Sequence, residues 1–228
     1  MSLKKGAVTF LDVLGWKGIW KRDDRALEKL YNLIEHIGKN IKDLLEEAHR
    51  GVSEQDAYLK DIEVKLLSIS DTIVITTYGE SKSALHFQSV AVAGTMSYAF
   101  SIGLPIRGAT SYGEFDNRGN ILIGPAVDEV ASWYELAEWI GVFLTPSALY
   151  QYDGNAPLSM LYDVPLKIGK LKTYCSSWFD IDEDDKLENM EDKIRKFFLE
   201  FSPITPDISN KFYNTLEFIS YYKKNHIK

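Results

Sequence analysis

The chain has 228 residues, 45% of them hydrophobic and 26% charged, enough to bury roughly 70–75% of its extended surface, which excludes a disordered chain or a disulfide miniprotein. A net charge of -7, from 26 Lys and Arg against 33 Asp and Glu, argues against a long nucleic-acid or anionic-membrane interface and leaves room for a small basic pocket. The single cysteine, Cys175, permits neither an intrachain disulfide nor a multi-thiolate zinc site and fits a reducing compartment.

In chain order, Ala7–Val13 is β-rich and puts Val8, Phe10 and Asp12 on one side of a strand, so a carboxylate ends an otherwise apolar row. A loop with Gly15 and Gly18 follows. Leu27, Leu30, Ile34, Ile37, Ile41, Leu44 and Leu45 then recur at helical spacing and predict a long amphipathic helix from about Asp24 to Ala48, packed on a core rather than paired in a coil. Residues 51–58 read as a polar loop. Two β-rich runs between Ile62 and Gly79, with Ser70 and Asp71 between them, predict a hairpin whose turn presents a second acid.

Ser83–Ile102 carries few charges and predicts a helix lying closely on a sheet, stopped by Gly103 and Pro105. A strand from Pro105, a turn at Asp116–Gly119 and a short return strand ending at Gly124 come next. Pro125 opens another helix, with Val127, Val130, Ala131, Tyr134 and Ala137 on its apolar face. A short strand at 141–144, a helix from Thr145 or Pro146, and a β-like tail over 166–179 complete the main domain. Beyond Trp178 an acidic run leads into two helical patterns, 187–201 and 208–222, whose aromatic content predicts packing onto the core.

This order of units predicts an α/β (α+β) fold: a mixed or mostly antiparallel sheet with helices on one face, a ferredoxin-like sandwich over 1–178 with a helical extension over 179–228. The apolar stretch near the N-terminus is interrupted at Asp12 and lacks a small-residue cleavage site, and nowhere are there about 18 continuous apolar residues. The expectation is a cytoplasmic protein that touches neither membrane nor nucleic acid.

Asp12 and Asp71 are the acids best placed for chemistry, because adjacent strands can bring both to one sheet edge. Such a pair holds Mg²⁺ or Mn²⁺ against a polyphosphate, and the backbone of Val13, Leu14, Gly15 and Trp16 lies where it can approach phosphate oxygens. From the residues alone, local turn capping by each aspartate is the favoured reading.

FLDVLGWK (10–17) resembles the first metal-binding motif of the class III nucleotidyl cyclase catalytic domain, and LLSISDTIVI (66–75) resembles its second. PIRGATSYGEF (105–115), GPAVDEVASWYELA (124–137) and KIGKLKTY (167–174) resemble later segments of that family in the same order, so the resemblance covers about Ala7–Ser176. It implies a cyclase homology domain that dimerises head to tail, with a nucleoside triphosphate at the interface of the homodimer. It assigns Asp12 and Asp71 to two Mg²⁺ or Mn²⁺ ions that activate the ribose 3'-hydroxyl and hold the phosphates while pyrophosphate leaves, giving a 3',5'-cyclic nucleotide.

Departures from that pattern are specific. Asp128 stands where the family has a ribose-orienting Asn, and Ser132 where it has an Arg that stabilises the transition state. Arg107, Lys167 and Lys170 are the candidate substitutes for the missing charge. Leu67 stands where a purine-selecting Lys is expected, so purine selectivity does not carry over. UTP or CTP, as used by the bacterial antiphage pyrimidine cyclases, is the candidate substrate. A catalytically inactive nucleotide-binding or regulatory domain is the alternative. The run Asp180, Asp182, Asp184 with Glu191 has EF-hand spacing but Asp185 at the glycine position, and reads as an acidic linker. His36, His49, His86 and His226 form no metal-ligand spacing, and Trp133, Tyr134 and Trp139 read as core or dimer-interface residues.

Overall fold

Strand β1 (Lys4–Val13) is the keel of the sheet, since Ala7, Val8 and Leu11 are fully buried on both its faces. The computed structural model describes residues 3–21, 23–50, 61–119, 121–181, 189–200 and 204–226. The polar loop expected at 51–58 and the body of the acidic linker, 182–188, lie outside the described residues.

Helix α1 (Ala26–Arg50) crosses to β2 (Glu63–Ile69), which turns directly into β3 (Thr72–Tyr78), and α2 (Ser81–Ser101) returns the chain to β4 (Ile106–Arg118). These strands lie in the order β2-β3-β1-β4, each neighbour pair antiparallel. That order is the ferredoxin-like one. A short β5 (Ile121–Ile123) pairs back on β4, and α3 (Pro125–Trp133) follows it. The sheet then extends through β6 (Val142–Leu144), parallel to β4, to the hairpin of β7 (Ser159–Leu166) and β8 (Gly169–Ser176), with α4 (Pro146–Gln151) in between. The result is a mixed α/β fold with a sheet of eight strands and six helices among the described residues.

Helices cover both faces of β1, not one. On the Thr9 side, Gln88 of α2 donates through Nε2 to the carbonyls of Ala7 (3.1 Å) and Ile75 (2.9 Å), and the Thr9 hydroxyl bonds both Gln88 and Thr110. Fully satisfied buried polar groups of this kind fix the register of a helix on a sheet. On the opposite, Val8 side, the Ser111 hydroxyl donates to Ala126 O at the start of α3 (2.6 Å), and Phe10 meets the edge of Tyr134 at 5.5 Å. The apolar row of Val8 and Phe10 requires that second cover. Asp12 lies farther along this same row.

The β-like tail expected over 166–179 is in fact the second half of a hairpin. Its first half, β7, reads poorly as a strand because it contains Asp163 and Pro165, but β7 ends the sheet order, and an edge strand tolerates a proline. The turn falls at Lys167 and Ile168, with Gly169 at φ +129°, a backbone that side-chain-bearing residues avoid.

The C-terminal helices α5 (Met190–Leu199) and α6 (Pro206–His226) share the main hydrophobic core through Ile194, Phe198, Phe218 and Ile219. Phe218 packs edge-on against the fully buried Trp139, with centroids 4.3 Å apart. Hydrogen bonds stitch α6 to the chain after α3: Ile140 N donates to Thr215 Oγ1 (3.0 Å) and Asn214 Nδ2 to Glu138 O (2.7 Å). No helix among the described residues is long and apolar enough to cross a membrane.

One pH response follows from packing away from the sheet edge. His36 of α1 stacks on Tyr98 of α2 at 3.8 Å, and burial, helped by Lys39, holds its pKa below the usual imidazole value. The folded state therefore prefers neutral His36, and the stability this contributes is present above about pH 6.5 and lost as the pH falls toward the depressed value. Denaturant titrations between pH 7.5 and 5.5 are expected to show this loss, and His36→Phe should flatten the slope. An unchanged slope in the variant would assign the acid sensitivity elsewhere.

Candidate functional site

Three chain segments converge where β1 ends. Asp12 lies opposite Thr72 of β3 on one side and Arg107 of β4 on the other, and Asp71 precedes Thr72 in the two-residue turn of the β2–β3 hairpin. Ser70 takes the turn's left-handed position at φ +58°, an unusual place for a residue with a Cβ. Close approach of β4 to β1 depends on Gly108, where a Cβ would sit 2.2 Å from Phe10 O. The two aspartates thus come together through strand register rather than through sequence proximity.

Arg107 is the clamp of this edge. Its Nε donates to Asp12 Oδ2 (2.8 Å), and one terminal nitrogen donates to the carbonyls of Glu135 (3.0 Å) and Ala137 (3.1 Å). The side chains of this pair are only 11% and 17% exposed. Burial raises the pKa of Asp12; Arg107 opposes the rise through its hydrogen bond and charge, and the nearby Asp71 and Glu135 add to it. Tyr134 is pushed up to about 12 by burial and by its hydrogen bond to Glu135.

Asp12, Asp71, Arg107 and Glu135 line an open cleft of about 710 Å³, within the range of small-molecule sites. Of the residues singled out from the sequence, Asp12, Val13, Leu14, Gly15, Trp16, Asp71, Arg107 and Lys167 all border it. Lys167 reaches it from the β7–β8 turn, which is anchored by Lys167 N donating to Leu136 O (2.9 Å). The amides of Val13, Leu14 and Trp16 are already donated to the carbonyls of Asp71, Pro105 and Val13, so this turn borders the cleft without offering those three N–H groups. Asp128 and Ser132 are exposed on α3, joined by Ser132 Oγ donating to Asp128 O (2.8 Å), and do not line the cleft. Lys170 is also outside it, exposed on β8 opposite Pro165.

Lining residues not foreseen from the sequence include Lys17, Glu135, Glu138 and, from α6, Asp207, Lys211 and Asn214. Lys17 is the last residue of the Asp12 motif, and that position is its signal in the sequence. The α6 residues carried none, because only tertiary packing brings that helix to the β1 edge. Trp139 is core, Trp133 packs edge-on to Phe143 at 6.3 Å, and Leu67 is half-buried on β2.

Among the described residues no three His, Cys, Asp or Glu side chains form a metal cage. Two carboxylates still suit Mg²⁺ or Mn²⁺, hard ions usually held by one or two carboxylates with substrate phosphates completing the shell. Burial is the main cause of the raised Asp12 pKa; the smaller part that comes from Asp71 and Glu135 is repulsion that a cation relieves. Asp12 and Asp71 therefore fit a divalent ion.

No protein-family model and no curated protein matches the chain. Among solved structures it is similar to the catalytic core of a rhodopsin-guanylyl cyclase with converted specificity, in complex with ATPαS, at a TM-score of 0.47 and 14% identity, over 77% of this chain and 97% of that one. It is also similar to the guanylyl cyclase Cya2, at a TM-score of 0.44 and 10% identity, over 77% of this chain and 93% of that one.

Proposed function

We propose that the protein is a nucleotidyl cyclase that converts a nucleoside triphosphate to a 3',5'-cyclic nucleotide and pyrophosphate, working as a homodimer. The observation that carries this reading is the strand register that brings Asp12 and Asp71, each in a cyclase-like motif, to one wall of a cleft of nucleotide size. A divalent ion held by these carboxylates supplies Lewis acidity toward the ribose hydroxyl and the phosphates. The protein's own groups do the rest. Arg107 holds the Asp12 carboxylate in a fixed orientation through its Nε. Lys17 and Lys167 draw the triphosphate into an otherwise acidic cleft and offset the charge that develops on the departing pyrophosphate.

Asp128 and Ser132, exposed outside this chain's cleft, are available to a second copy and bring it no positive charge. The charge donors in this reading are therefore the cations within the cleft. Leu67 offers no hydrogen bond to a purine edge, so purine selectivity does not carry over and UTP and CTP are candidate substrates beside ATP and GTP. A second reading, a nucleotide-binding regulatory domain without turnover, draws on the close Arg107–Asp12 pair, which competes with a metal ion for one carboxylate oxygen.

Incubation of the full chain with ATP, GTP, UTP and CTP in Mn²⁺ and in Mg²⁺, followed by assay of cyclic monophosphate and pyrophosphate, separates the two readings. Product from one triphosphate, released together with pyrophosphate, supports the cyclase. Binding without product from any of the four supports the regulatory domain.

A further inference from the structure

We propose that the C-terminal helices complete the nucleotide site from within the same chain: Lys211 of α6 grips the polyphosphate, and an apolar slot against α5 and α6 takes the nucleoside. This rests on reading the cleft as a nucleoside-triphosphate site, and extends it to a segment outside the stretch that resembles a cyclase.

The charged cleft does not end at the β1 edge. A second cavity of about 360 Å³, walled by Leu14, Phe197, Phe198 and Ile208, adjoins it, and the two share Leu14, Gly15, Lys17 and Lys211. Both lysines thus stand at the seam between an acidic compartment with metal-binding carboxylates and an apolar one with two phenylalanine rings. A nucleoside triphosphate has the same division, a polyanion that needs cations at one end and a flat ring that gains from burial against aromatics at the other. The compartments match it in order as well as in kind, with the seam lysines where the first phosphates lie.

The α6 wall is held firmly enough to serve. Thr215 and Asn214 tie it to Ile140 and Glu138, and Phe218 is buried against Trp139 beneath it. Lys211 Nζ is 3.3 Å from Glu138 Oε1 and donates to Asp207 O at 3.1 Å. An ammonium group has three donors, so these contacts fix its position and leave one N–H for a phosphate oxygen. Glu138 and Asp207 keep the lysine at the seam when no nucleotide is there.

The slot's chemistry also sets how a base is recognised. Apart from the two lysines and Gly15, its side-chain walls are hydrocarbon and aromatic, so a base is held by stacking and burial rather than by side-chain hydrogen bonds to its edge. Such a slot binds all four bases with little discrimination.

Equilibrium binding of the α,β-methylene analogues of the four nucleoside triphosphates, which cannot release pyrophosphate, and of inorganic tripolyphosphate tests both halves on the full chain in Mg²⁺. Lys211→Met is expected to weaken analogue and tripolyphosphate alike by about tenfold, with Lys211→Arg restoring most of the affinity. Phe197→Leu, which keeps an apolar side chain but removes the flat ring, is expected to weaken the analogues by about tenfold and to leave tripolyphosphate unchanged. The four analogues should bind within about threefold of one another. Unchanged analogue affinity in either Lys211→Met or Phe197→Leu, with melting temperatures near that of the wild type, overturns the inference; absence of analogue binding by the wild type does the same. Cyclic product without these dependences leaves the cyclase reading standing alone. These dependences without product leave the site standing and remove the cyclase.

Discussion

Asp71→Asn is expected to lower cyclic-nucleotide formation by about a thousandfold, equivalent to roughly 4 kcal/mol of transition-state stabilisation, while the fold melts within about 2 °C of the wild type. The separation of activity from stability follows from where Asp71 sits. It occupies the hairpin turn, half-buried, and its backbone carbonyl rather than its carboxylate accepts from Val13 N at 3.4 Å. Asn keeps the size of the side chain and removes the charge that a divalent ion needs. Asp12→Asn is a less clean probe, because Asp12 is also the carboxylate partner of the largely buried Arg107, and its loss changes folding together with metal binding. Nucleotide turnover and thermal melting measured on the same preparation of Asp71→Asn check this; wild-type turnover in Mn²⁺ would remove Asp71 from the metal site.

The parts of the fold legible in the sequence are those whose signal is local. Apolar spacing marks α1, an apolar run with few charges marks α2, and Ser70–Asp71 between two β-rich runs marks the β2–β3 hairpin. Asp12 stood out because an acid ended the apolar row of Val8 and Phe10. The register then accounts for that position, since the acid falls where the strand leaves the core and enters a cleft. What escaped was nonlocal or masked by composition. Pro165 and Asp163 concealed β7, because edge-strand placement, which makes them tolerable, is decided by the rest of the sheet. The second helical layer over Val8 and Phe10 could have been expected from that row alone, which a single covered face leaves exposed.

For the site, type and sequence neighbourhood were not enough to sort the cations. Lys167 and Lys170 lie in one stretch and look alike, yet the β7–β8 turn delivers the first to the cleft and leaves the second on an exposed strand. Arg107 could be read either as a charge donor or as an ion-pair partner. Its three hydrogen bonds, to Asp12 and to the carbonyls of Glu135 and Ala137, make the ion pair a fact of the fold and link the aspartate edge to the segment onto which α6 is stitched.

That linkage gives Arg107→Met a large and specific expected effect. The substitution removes all three bonds and leaves Asp12 buried without its cation, facing Asp71 and Glu135. Breaking a buried pair from one side costs about 3 kcal/mol, or roughly 6–12 °C in melting temperature for a chain of this size. A divalent ion can replace the lost charge, so Mn²⁺ should raise the melting temperature of Arg107→Met more than that of the wild type, in which Arg107 already occupies Asp12 Oδ2. Adding Asp71→Asn to Arg107→Met should abolish most of that extra Mn²⁺ shift, because the ion then has a single carboxylate to bind. Thermal melts of the three proteins across a Mn²⁺ series measure this. Equal metal shifts in wild type and Arg107→Met would mean that Asp12 and Asp71 do not act together as a cation site.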